Sequence, residues 1–107
     1  MLLGPVAFTP YEGRDLVAAI LRGAGRARQE FRYEREIRNP GGSDYALVFK
    51  AWVDDRAVHG CEFLHLNGDG LIDKLVVMVR PLSAARAVAE AMRAQFETVQ
   101  HELGWAA

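Results

Sequence analysis

Four consecutive stretches between residue 28 and Pro81 read as β-strands, and no segment between them is long enough for a helix. A parallel pair needs a crossover of a dozen or more residues, so strands joined this directly pair antiparallel, each with the next. Residues 28 to 38 alternate with a period of two: Phe31, Tyr33 and Ile37 fall on one side, and Glu30, Arg32, Glu34, Glu36 and Arg38 on the other. That pattern predicts a half-exposed strand. Asn39-Pro40-Gly41-Gly42-Ser43 is a loop, Asp44 to Val53 the next strand, and Asp54-Asp55 a tight turn into a third, Ala57 to Leu66. Asn67-Gly68-Asp69-Gly70 is the strongest turn signal in the chain; it leads into a last strand, Leu71 to Arg80, which Pro81 ends.

Helical periodicity flanks this meander. Upstream, Leu2 to Phe8 reads as a short strand that breaks at Thr9-Pro10. Thr9-x-x-Glu12 has capping-box spacing, with Gly13 delaying the helix proper to Arg14. Leu16, Val17, Ile20 and Leu21 then recur at helical spacing, and Gly23-Ala24-Gly25 predicts the stop. Downstream, Leu82, Ala85, Ala89, Met92, Phe96, Val99 and Leu103 form a seam along a long C-terminal helix. Its two alanines suit packing on the sheet or on a second subunit better than a free-standing coiled coil. The class is α+β, and with 107 residues and no internal repeat the chain is one domain, 1–107.

Composition narrows the function classes. A net charge of −1 argues against a nucleic-acid coat. The six arginines between Arg22 and Arg38 (Arg22, Arg26, Arg28, Arg32, Arg35, Arg38) are interleaved with Glu30, Glu34 and Glu36, which predicts a salt-bridged surface. Cys61 is the one cysteine, so no intramolecular disulfide and no cysteine-based zinc cluster are available, and a reducing cytoplasm is the expected setting. No apolar run approaches the ~20 residues that span a bilayer, and no signal-peptide pattern opens the sequence. His59 and Cys61 share a strand face, but no third ligand accompanies them, so no metal and no cofactor are expected. His101 falls away from the helical seam, toward solvent.

Beyond the first, the strands are apolar on both faces: Tyr45, Leu47, Phe49 and Ala51 alternate with Ala46, Val48 and Trp52, and Leu64 with Cys61 and Phe63. An antiparallel sheet wetted on one side would alternate cleanly, so both faces need a cover. Helices can supply one. The other, carrying Val48, Trp52, Cys61, Phe63, Val76 and Met78, is expected to pack back to back on a second copy of the chain.

Glu62-Phe63-Leu64-His65-Leu66-Asn67-Gly68-Asp69-Gly70-Leu71-Ile72 resembles the strand, turn and strand of ketosteroid isomerases and SnoaL-like cyclases. Val77-Met78-Val79-Arg80-Pro81-Leu82 and Tyr11-Glu12-Gly13-Arg14 resemble the same group. The resemblance is nearly gap-free over residues 45 to 82 and looser over 1 to 40. It implies the nuclear-transport-factor-2-like, cystatin-like fold: a strongly curved sheet wrapped as a cone around an apolar pocket, with helices closing the mouth, commonly dimeric. The implied pocket face carries Tyr45, Leu47, Phe49, Gly60, Leu64, Leu75, Val77 and Val79, with Phe31, Tyr33 and Arg35 from the first long strand.

Ketosteroid isomerases keep a protonated aspartic acid in an oxyanion hole on this strand, and the matching position is Glu62. The resemblance makes it a candidate acid or base, with Tyr33, Tyr45 or Arg35 assisting. Two departures stand against that chemistry. Gly4 occupies the place of the acidic residue that precedes a proline, and no segment matches the N-terminal helix bearing the family's tyrosine. Three functions remain open: a binding domain for a small apolar molecule, an isomerase, cyclase or hydratase using Glu62, and a non-catalytic dimeric assembly module.

Overall fold

The computed structural model describes residues 1–5 and 10–104. Five strands form one sheet in the order β1-β5-β4-β3-β2, with β1 Leu2–Leu3, β2 Gln29–Arg38, β3 Asp44–Val53, β4 Arg56–Leu66 and β5 Ile72–Arg80. Helix α1, Arg14–Ala27, follows β1, and α2, Leu82–Glu102, closes the described chain. The four long strands pair antiparallel with their sequence neighbours, whereas β1 adds in parallel, Leu2 opposite Leu75 and Leu3 opposite Val76. The meander is therefore as the periodicity predicts.

Local chemistry fixes the ends of these elements. Asp54 takes a positive φ of 54° in the two-residue turn between β3 and β4, a conformation Asp tolerates better than most residues. Between β4 and β5 the Asn67 side-chain oxygen accepts the backbone N–H groups of Asp69 and Leu71 at 2.9 and 3.1 Å, holding the loop closed. Helix α1 begins at Arg14 behind Gly13, whose φ of 97° only glycine adopts cheaply. The expected strand through Phe8 and the Thr9 capping box fall partly on residues 6–9, outside the described residues; what is described of that strand is Leu2–Leu3.

Two expectations about the helices change. Gly23-Ala24-Gly25 does not stop α1, which continues to Ala27. Gly23 is instead buried against α2, where a Cβ would stand 3.3 Å from Val99 Cγ2 and 3.4 Å from Gln95 Cβ. Close helix approach, not termination, is what its missing side chain supplies. In α2 the sheet-facing side carries Ala84, Ala87, Val88 and Ala91, while Leu82 is 67% and Phe96 47% exposed. Over its sheet-facing half, Ala84 to Ala91, the helix is rotated about one residue from the predicted seam, because small side chains let it sit close over the aromatic rings beneath. Val99 of that seam is buried as expected, against α1.

Those rings belong to the core. Phe49, Ala51, Val53 and Val58 are buried against Ala84, with Phe31, Val77 and Val79 packed around them. Helix α2 therefore covers one face of the sheet, and α1 packs on α2. Arg22 and Arg26 of α1 both donate to Glu102 of α2, at 2.7 and 2.8 Å, and Arg26 also donates to Gln95. These two arginines thus pair across helices rather than with the glutamates interleaved among them in sequence.

Candidate functional site

The ladder register assigns each strand residue to a face. Tyr45, Leu64 and Leu75 stand in one cross-strand row, Leu47, Glu62 and Val77 in the next, and Phe49, Gly60 and Val79 in the third. All share the helix-covered face, together with Tyr33, which pairs with Phe49. Phe31 joins them by stacking on Phe49, ring centroids 5.0 Å apart. The Phe49 ring lies across Gly60: a Cβ there would come 2.7 Å from Phe49 Cε1 and 2.8 Å from the Met78 carbonyl oxygen. The middle of this face is thereby filled by its own aromatic rings.

Toward β2 the face opens. Tyr33 is 54% exposed, stands edge-on to Phe31 at 4.9 Å, and donates its hydroxyl to Glu62 Oε2 at 3.2 Å. Arg28 caps the other end of the stack, its guanidinium carbon 3.7 Å from the Phe31 centroid. Burial, then the charge of Glu62 and the hydrogen bond to it, raise the Tyr33 pKa above the ordinary phenol value, so the phenol keeps its proton and remains a donor. A neutral donor and a carboxylate acceptor thus sit side by side next to Leu47 and Val77. Such a pair can orient the polar end of an apolar molecule, or exchange a proton with it.

Arg35 is the one member of the implied pocket set that the ladder places elsewhere. The register of β2 on β3 shifts between Gln29 and Arg32 and again between Tyr33 and Arg35, so Arg35 pairs with Val48 and Ile37 with Ala46. Each extra residue turns the following side chains to the opposite face. Arg35 and Ile37 therefore leave the face of Tyr33, and Glu36, opposite Leu47, takes their place. Glu36 is a site residue that strict alternation misses. Its signal in the sequence is the charged run Glu34-Arg35-Glu36, which interrupts the apolar parity of Phe31 and Tyr33.

Val48, Cys61 and Met78 form a row on the opposite, open face, Ala46, Phe63 and Val76 the next, and Trp52 lies toward the β3–β4 turn. Met78 is 58% exposed and Trp52 and Phe63 42% each. Burial, then the charge of Glu62, pushes the Cys61 thiol up and keeps it protonated. A groove of about 440 Å³ near the β2–β3 loop is floored by Ala46, Phe63 and Val76 and rimmed by His65, which is hydrogen-bonded to Asp73. That bond raises the His65 pKa. Among the described residues no three His, Cys, Asp or Glu side chains cluster as a metal site, and no helix is long and apolar enough to cross a membrane.

No protein-family model and no curated protein matches the chain. Solved structures do. An uncharacterised bacterial protein with a cystatin-like fold from Silicibacter pomeroyi DSS-3 shares 34% identity over 97% of this chain and 72% of its own, with a TM-score of 0.89. A steroid delta-isomerase from Pseudomonas aeruginosa shares 31% identity over 91% of this chain and 71% of its own, with a TM-score of 0.87. An NTF2-like protein of unknown function from Cytophaga hutchinsonii ATCC 33406, 16% identical over 78% of this chain and 67% of its own with a TM-score of 0.53, shares the fold. On the first two likenesses, with the mixed five-stranded sheet and long C-terminal helix beneath them, this chain belongs to the nuclear-transport-factor-2-like, ketosteroid-isomerase-like superfamily.

Proposed function

We propose that the chain is a binding domain for a small, mostly apolar molecule, held on the helix-covered face where Tyr33 and Glu62 orient its polar end. The observation that carries this reading is the Tyr33–Glu62 hydrogen bond beside the apolar side chains of Leu47 and Val77. A fluorescent naphthol, apolar with one hydroxyl, is the probe: Glu62 accepts its proton and Tyr33 donates to its oxygen. Removing one neutral hydrogen bond by Tyr33→Phe should weaken binding about fivefold. Equal affinity of wild type, Tyr33→Phe and Glu62→Gln would sink the proposal.

A second reading has a specific support. The similarity to a steroid delta-isomerase favours isomerase, cyclase or hydratase chemistry with Glu62 as acid or base. Glu62→Gln that keeps probe affinity but abolishes turnover of an enone isomerisation substrate decides for catalysis. No turnover by wild type decides for binding alone.

The same proposal pairs two copies back to back through Val48, Cys61, Phe63, Val76 and Met78, with Trp52 alongside. Three half-exposed apolar side chains sharing one face support it, since an uncovered patch of this kind marks an interaction surface. Sedimentation at micromolar concentration should give a dimer, and a monomer there overturns it. The single free thiol suits a reducing compartment such as the cytoplasm.

A further inference from the structure

The end of the open face nearest the β3–β4 turn has a different character from its apolar middle. Arg32, Lys50, His59 and Arg80 lie in one cross-strand row, contributed in turn by β2, β3, β4 and β5. Neighbouring strands are about 4.8 Å apart, so the Cα atoms of the two outer arginines stand about 14 Å apart, one at each side of the row. A groove of about 690 Å³ runs over this row, walled by Trp52 and Pro81 and within the size range of small-molecule sites.

The charges in this row are unevenly satisfied. Glu34 serves Lys50 at 3.3 Å and approaches His59 Nε2 at 4.0 Å. Arg80 Nη1 lies 3.5 Å from His59 Nδ1, a nitrogen that can accept from it when it carries no proton. Lys50, Glu34, His59 and Arg80 thereby form a polar chain across the row. Among the described residues neither Arg32 nor Arg80 has a carboxylate within ion-pair distance, although Glu30 also lines the groove. Two guanidinium groups therefore remain available at its two sides. Helix α2 starts one residue beyond Pro81 with no acidic residue in its first turn, so nothing there opposes an anion.

Guanidinium forks match phosphate oxygens in pairs, and a half-exposed indole offers a planar apolar surface beside them. We propose that this groove binds a phosphorylated aromatic molecule of nucleoside-monophosphate size, its phosphate held by Arg32 and Arg80 and its ring laid on Trp52. The inference is independent of the site on the helix-covered face and adds a second ligand class; it places Trp52 at the rim of the proposed dimer contact, with its ring open to the groove.

Isothermal titration calorimetry of the full chain with adenosine monophosphate, adenosine and inorganic phosphate tests it. Adenosine monophosphate should bind at least tenfold more tightly than either fragment, and more weakly as salt rises. Arg32→Gln and Arg80→Gln should each cost about tenfold, the usual worth of a charge-assisted hydrogen bond. Arg80→Lys should recover only part, because it keeps the charge and loses the fork, and Trp52→Leu should cost about tenfold for the ring alone. All three side chains are exposed, and unchanged melting temperatures confirm that the four variants fold. Absence of heat at millimolar adenosine monophosphate, or an Arg80→Gln variant that binds as tightly as wild type, overturns the proposal. Inorganic phosphate binding as tightly as the nucleotide overturns its aromatic part.

Discussion

The two faces of this sheet are built from neighbouring residues of the same strands, yet they meet different fates. On the helix-covered face Phe49 is 6% exposed, stacked on Phe31 and roofed by the alanines of α2. On the open face Phe63 is 42% and Met78 58% exposed, with no element of the described chain lying over them. Apolar character is thus shared by both faces, and dryness belongs to one. A hydrophobic side chain stabilises a fold in proportion to the water it loses, so the energetic centre lies entirely on the α2 side.

A matched pair of truncations is the largest test of that contrast. Phe49→Ala removes a ring packed against Phe31 and lying over Gly60, and should cost about 3–5 kcal/mol of unfolding free energy. Phe63→Ala, half in water already, should cost roughly 1 kcal/mol or less in a monomer. Urea denaturation at low protein concentration reads both. Losses of similar size would mean that the open face is covered in solution and that the contrast belongs to the isolated chain alone.

Glycines sharpen the comparison at a smaller scale. Gly60→Ala would press a methyl group into the Phe49 ring and the Met78 carbonyl, and backbone cannot retreat cheaply; roughly 2–3 kcal/mol should be lost. Gly23→Ala meets Val99 and Gln95 at 3.3–3.4 Å, where side chains can shift by tenths of an ångström, and it gains about 1 kcal/mol of helix propensity. The two terms nearly cancel. Thermal denaturation of both variants should therefore show a clear drop for the sheet glycine and little change for the helical one. The opposite ranking would place the tightest packing between the helices rather than on the sheet.

The residues that were hard to place share one cause. Period-two alternation and the Asp54-Asp55 and Asn67-Gly70 turns give β3, β4 and β5 nearly to the residue, because their pairing keeps one register except for a single shift at its end, between His65 and Leu66. Strand β2 does not. Its two register shifts carry no glycine or proline to announce them, so counting by two from Phe31 puts Arg35 and Ile37 on the wrong face and hides Glu36. The candidate site was legible on β4, as with Glu62, and on β2 as far as Tyr33, and illegible beyond the second shift, at Arg35 and Glu36. Helix α2 shows a related effect. Large residues at seam spacing look like the buried side, but it is the alanines that fit over Phe49 and Phe31, leaving Leu82 and Phe96 outside. Periodicity states which residues align on an element, and only the shape of the facing surface decides which of them turn inward.

The smallest effect is expected where the helix layer is tied on its outer side. Glu102 accepts from Arg22 at 2.7 Å and Arg26 at 2.8 Å, and the hydrogen bond from Arg22, followed by that from Arg26, lowers its pKa below the ordinary value of 4.5. A carboxylate depressed in the folded state stabilises it at neutral pH, and that contribution is lost as pH falls below 4.5 and through the lowered folded value. Glu102→Gln should thus be less stable than wild type at neutral pH by a small margin, because the pair is exposed and solvent screens it. The margin should close on acidification and also in high salt. Denaturation midpoints of the two proteins across that range give the answer. A difference that persists in acid would assign the clamp to packing of the long side chains, and would make the outer side of α2 part of the dry region that so far ends at Gly23 and Val99.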